Sequence, residues 1–139
     1  MSPWTRERLG AGVTVAGIVA SLPSVWHTAG HIKDPAFRTT TPYGTEHVAY
    51  HMAREVLTAA GSLTAVGIGA LCGARRTPTV WRVMAAAAGG YCAALWSGGP
   101  VTGVWAPNRR ALLVHAAGTA GLLTGVCLLR PRPMEWTAG

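Results

Sequence analysis

Long stretches of this chain carry almost no charge. Residues 9–35 hold only Lys33 and Asp34, both late, and residues 56–74, 83–108 and 111–129 hold no charged side chain. A helix needs about 18 to 20 apolar residues to cross the hydrocarbon of a bilayer, and each stretch reaches that length. Charged residues make up 12% of the sequence, against about 25% in an ordinary soluble domain. The pattern predicts an all-α, integral membrane four-helix bundle: a single domain over residues 1–139 with spans at about 9–29, 46–72, 79–97 and 110–129. Glycine is no obstacle, because small residues let membrane helices approach closely. Gly69-x-x-x-Gly73 and Gly121-x-x-x-Gly125 are expected to be contact motifs of that kind.

The arginines set an orientation. Arg6 and Arg8 precede the first span, Arg75, Arg76 and Arg82 lie between the second and third, and Arg130 and Arg132 follow the fourth. The other side carries Lys33, Arg38, Arg109 and Arg110. Basic residues favour the cytoplasmic side, so both termini are expected there, in a multi-pass protein of the cell membrane. Tryptophan prefers membrane interfaces. Trp4, Trp81 and Trp136 fall at the expected inner boundary, and Trp26, Trp96 and Trp105 at the outer one. The net charge of +7 is accounted for by this bias and calls for no nucleic acid. The basic, then apolar, N-terminus resembles the first two parts of a signal peptide. It lacks a small-x-small exit and is expected to remain as a span.

The loops and cysteines add less. Residues 32–45 read as a polar turn-rich loop, and residues 98–108, rich in Gly and Pro, as a segment able to dip back into the bundle. Cys72, Cys92 and Cys127 form no Cys-x-x-Cys pair and are expected to be packing residues.

The histidines carry the chemical expectation. His27 and His31 are four apart, as are His47 and His51, with Glu55 at the next interval. Residues four apart share a helix face at about 6 Å. Pro23 is expected to kink the first span below His27. His115 lies at matching depth in the last span. The candidate metal ligands are His27, His31, His47, His51, His115 and Glu55, for iron, copper or zinc. The candidate catalytic residues are Glu55, Arg54 and Tyr50, with Tyr43 and Tyr91 as further donors. Arg54 and Glu55 are also placed to neutralise each other. Ionisable groups inside a membrane span are functional candidates by default.

Membrane fatty-acid hydroxylases and desaturases also use His-x-x-x-His, but with additional His-x-x-His-His boxes that this chain lacks, so their residues are not carried over. Small four-helix b-type cytochromes hold haem by one axial histidine per helix, which makes His51 and His115 the candidate pair for haem b. The leading expectation is a metal-dependent membrane oxidoreductase acting on a lipophilic substrate near the outer face. The alternatives are a haem-binding electron carrier, a metal-free acid–base lipid or terpenoid isomerase or cyclase centred on Glu55, and a non-enzymatic subunit of a larger membrane complex. Membrane lipids are the expected partners, and a homo-oligomer is open.

Overall fold

The computed structural model describes residues 1–131 and is all-α, with no strand among them. Arg132 and Trp136, counted above for the inner side, lie outside the described residues. The long helices are α1 (Pro3–His31), α2 (His47–Leu71), α3 (Pro78–Trp96) and α5 (Arg109–Leu128), with the short α4 (Gly98–Thr102) between the last two. Their starts are written locally. Ser2 accepts from the Thr5 amide with Pro3 following it, Thr77 accepts from the Val80 amide ahead of Pro78, and Asn108 accepts from the Ala111 amide. Such side chains satisfy amides that a helix start leaves free, and proline at the first position loses nothing by lacking one. The Ser2–Pro3 cap starts α1 well ahead of the expected residue 9, and the helix runs unbroken through Pro23 to His31.

α1 packs against α5 and α2, and α3 closes the square between α2 and α5. The α1–α5 seam is the most extensive. α1 buries Gly10, Thr14, Gly17 and Ser21 along it. A Cβ on Gly17 would lie 2.5 Å from the Leu122 nitrogen and 2.7 Å from the Gly121 carbonyl carbon, and one on Gly121 would lie 2.6 Å from the Gly17 Cα. Gly125 meets Thr14 and Gly118 meets Ser21 in the same way. The two backbones therefore touch. The polar members of the seam are satisfied within α1: the Thr14 hydroxyl donates to the Gly10 carbonyl at 2.8 Å and the Ser21 hydroxyl to the Gly17 carbonyl at 2.9 Å.

The opposite face of α1 is the apolar one. Val15, Val19, Leu22 and Trp26 are exposed, Trp26 at 82%. Small and hydroxyl residues inside with large apolar residues outside reverse the usual order of a water-soluble helix. Leu57, Ile68 and Leu71 of α2 and Leu112, Leu113 and Leu123 of α5 extend the exposed apolar surface. α1 and α5 are each long and apolar enough to cross a membrane.

Of the two expected glycine motifs, Gly121-x-x-x-Gly125 does line the contact with α1. Gly69 packs on Met84 of α3, where a Cβ would come within 2.9 Å of the sulfur, but Gly73 faces open space. Its φ of 56° instead ends α2 in a left-handed turn. Within the 98–108 segment, α4 packs on α3, while Pro107 and Asn108 line the larger cavity described below. Gly103, at φ 78°, turns the chain, and the Trp105 ring folds back against Gly99, where only a glycine leaves room for it.

One end of the bundle is tied by charge. The Arg76 guanidinium donates to both Glu7 carboxylate oxygens at 2.7 and 2.8 Å and to the Gly69 and Ala70 carbonyls at 2.7 and 2.8 Å. One side chain thus caps α2 and clips it to α1, as the planar fork of arginine permits. Arg6 donates to the Arg130 carbonyl at 3.1 Å, tying the start of α1 to the end of α5. Tryptophans link α3 to α5, Trp81 donating to the Val126 carbonyl at 2.9 Å and Trp96 to the Thr119 hydroxyl at 2.8 Å.

Substitution of Gly17 by leucine should cost about 1–3 kcal/mol, because the new side chain meets backbone that cannot yield. Gly12→Ala, with open space around it, should be neutral or stabilising; unfolding titrations in mixed micelles compare the two. Glu7→Gln leaves the Arg76 side chain, 4% exposed, without its counter-ion and should cost about 3 kcal/mol, whereas Arg75→Gln at an exposed position should change little in the same assay.

Candidate functional site

The end of the bundle away from the Arg76–Glu7 clip is hollow. A cavity of about 610 Å³ opens there between α1, α5 and the facing turns of α2 and α3, lined among others by Ser24, His27, Thr28, His31, Glu55, Asn108, Arg110 and His115. Trp26, Leu95 and Val114 supply apolar wall. A second cavity of about 310 Å³ lies between α2 and α3, lined by His51, Arg54, Glu55, Ser62 and Tyr91. A small void of about 20 Å³, bounded by Ser24, Thr28, Glu55 and Tyr91, lies beside both. Glu55 borders all of these spaces.

Each wall has a local cause. Ser24 and Thr28 are one turn apart on α1, and His27 and His31 follow the same rise, so α1 turns hydroxyls and imidazoles toward one space. The Thr28 hydroxyl donates back to the Ser24 carbonyl at 3.1 Å. His115 Nε2 stands 3.4 Å from the Ser24 hydroxyl, and the imidazole meets Trp96 edge-on at 5.9 Å between ring centres.

Among the described residues, His115 Nδ1 and the Tyr91 hydroxyl, both buried beside these spaces, meet no hydrogen-bond partner of good geometry. Tyr91 is only 6% exposed. A buried polar atom left unpaired costs free energy, which makes such atoms informative about what else belongs nearby.

The five histidines separate into groups. His27, His31 and His115 line the larger cavity. The His27 and His31 rings meet edge-on at 4.3 Å, and His31 stacks on Phe37 at 3.9 Å. His51 lines the smaller cavity. His47 pairs with His51, their Nε2 atoms 3.1 Å apart, and stands 5.1 Å from the Tyr43 ring. The sequence expects these histidines and Glu55 to converge on one metal site; among the described residues no three of His, Cys, Asp and Glu gather closely enough to hold one metal ion. Shared depth along the bundle does not bring all the side chains to one azimuth: α1 and α5 present His27, His31 and His115 to the larger cavity, whereas His51 of α2 lines the smaller one.

The candidate catalytic residues also part. Glu55 reaches the cavities. Arg54 lines the smaller one, with its guanidinium 5.6 Å over the Tyr50 ring. No ion pair joins Arg54 to Glu55 among the described residues, so the expected mutual neutralisation is absent. Tyr50 is exposed and meets His51 edge-on at 5.3 Å between ring centres. Cys72, Cys92 and Cys127 are free thiols. Sequence reasoning missed Ser24, Thr28, Asn108 and Arg110 as wall residues. The Ser24/Thr28 pair had a legible signal, hydroxyls at helical spacing in an apolar span beside His27 and His31. Compared with models of known families, with curated proteins and with solved structures, the chain matches none of them.

Proposed function

We propose that this chain is a four-span membrane protein that admits a lipophilic molecule with a polar end into the larger cavity and carries out proton transfer on that end. The observation that carries this reading is the pairing of a roomy, partly apolar cavity with a carboxyl, Glu55, and an imidazole, His115, on its walls. Ligand sites of about 300–1,000 Å³ with mostly apolar walls and a few convergent polar groups are the usual form for small molecules. Tyr91, whose buried hydroxyl meets no hydrogen-bond partner of good geometry among the described residues, stands beside Glu55 on the adjoining spaces.

The membrane assignment draws support from the reversed helix α1, whose lipid-suited surface is the outward one, and from the spanning length of α1 and α5. In that setting the end tied by Arg6, Arg76 and Arg130 is the cytoplasmic one, because the arginines concentrate there. The cavity then opens at the outer face, and membrane lipids are both the surroundings and the route of entry.

In the reaction, Glu55 donates a proton to the polar end or to an adjacent double bond. His115 removes a proton elsewhere on the same molecule, and water returns each group to its starting state. The net change is an isomerisation with no redox step. A redox metal centre gathers less support, because no three of the candidate ligands gather closely enough among the described residues to hold one ion. The haem b reading likewise places its axial pair, His51 and His115, on different cavities.

Proton transfer leaves an isotopic mark even when the substrate is unidentified. The purified chain, incubated in D2O with a membrane lipid extract, should introduce one deuterium into a discrete lipophilic species seen by mass spectrometry. Glu55→Gln should lower that incorporation by about 10²–10⁴-fold. Ala94→Trp, which fills space on the wall of both larger cavities, should abolish it. Absence of incorporation, or incorporation indifferent to Glu55, contradicts the reading.

A further inference from the structure

We infer that His47 and His51 form an exchangeable seat for one zinc or copper(II) ion on the surface of α2, beside the smaller cavity that His51 and Glu55 both line and outside the larger cavity of the proposed proton transfer. The two Nε2 atoms are 3.1 Å apart, and the rings meet edge-on at 4.5 Å. Bonds of about 2.0–2.1 Å from each nitrogen to one ion, at a tetrahedral angle, set the nitrogens about 3.3 Å apart. The pair therefore needs almost no rearrangement to chelate. In the free chain one ring donates its Nε2 proton to the other. With an ion bound, both rings carry their proton on Nδ1 and turn an Nε2 lone pair to the metal.

The surroundings suit a labile site rather than a closed one. His51 is exposed, so water completes the coordination. Neighbouring cations are already engaged, Arg38 with Glu46 at 3.4 Å and Arg54 over Tyr50. The seat lies on the first turn of α2, where the helix dipole opposes a cation. Two imidazoles select late first-row ions over magnesium or calcium. The other spaced pair is arranged differently: His27 and His31 meet ring to ring, and the face of His31 is taken up by Phe37.

The test is a Zn2+ titration of the full chain in detergent micelles against a chromophoric chelator, with Cu2+-loaded samples studied by electron paramagnetic resonance. One ion per chain is expected, with hyperfine coupling from two imidazole nitrogens. H47A and H51A should each weaken binding by at least about tenfold, since even an outer partner of a metal site is worth that much. H27A should leave binding unchanged, and circular dichroism should show each variant folded. No binding at micromolar zinc, binding that survives the H47A/H51A double substitution, or binding lost in H27A overturns the inference. None of these outcomes bears on deuterium incorporation through Glu55.

Discussion

Backbone contact between α1 and α5 fixes how everything else can be arranged. Gly17 and Gly121 bring the two helices together with no side chain between them, and Thr14, Ser21, Gly118 and Gly125 continue the seam. Close approach of this kind trades the burial of large side chains for dispersion contact between backbones. In water that trade is poor, since the large apolar residues of α1 are left outside. In lipid it costs nothing, because hydrocarbon receives Val15, Val19 and Leu22 as well as a protein core would. Under the proposed membrane setting, the seam and the outward apolar face are two aspects of one choice of solvent.

The seam also shapes the hollow end. It fixes the rotation of α1, and with it the direction of Ser24, Thr28, His27 and His31 beyond Ser21, the last buried residue of the seam. Past the buried seam, Pro23, Ser24 and Trp26 of α1 and Ala111, Val114 and His115 of α5 line the cavity. At the other end Arg76 and Glu7 hold the helices shut. The bundle is closed by charge and the Trp81 bond at one end and open among hydroxyls and imidazoles at the other.

Much of this was legible in the sequence. Charge-free stretches marked the long helices, but the caps at Ser2-Pro3, Thr77-Pro78 and Asn108, though local chemistry, were not read, and α1 starts ahead of its expected residue 9. What the sequence could not show was azimuth. Depth ranked all the histidines together, but His47 and His51 pair on α2 while His27, His31 and His115 line a different wall. Which faces meet depends on the seam, and the α1 half of the seam, Gly10, Thr14, Gly17 and Ser21, mixes residue types and escapes a search for glycine pairs. Gly73 failed as a contact for a related reason: spacing alone does not separate a packing glycine from one that ends a helix. Arg76 was read for its charge, whereas its contacts with Glu7 and the α2 carbonyls depend on a fold not visible from composition.

The account stands on the claim that the outward face of α1 meets lipid. A nitroxide spin label at Val19, 58% exposed, in the chain reconstituted into phospholipid vesicles measures this most directly. High collision rates with dissolved oxygen and low rates with a water-soluble nickel chelate are predicted there, with the reverse at Thr40 in the loop before α2. A label at Val19 that collides freely with the chelate and poorly with oxygen would contradict the membrane bundle and with it the lipophilic cavity.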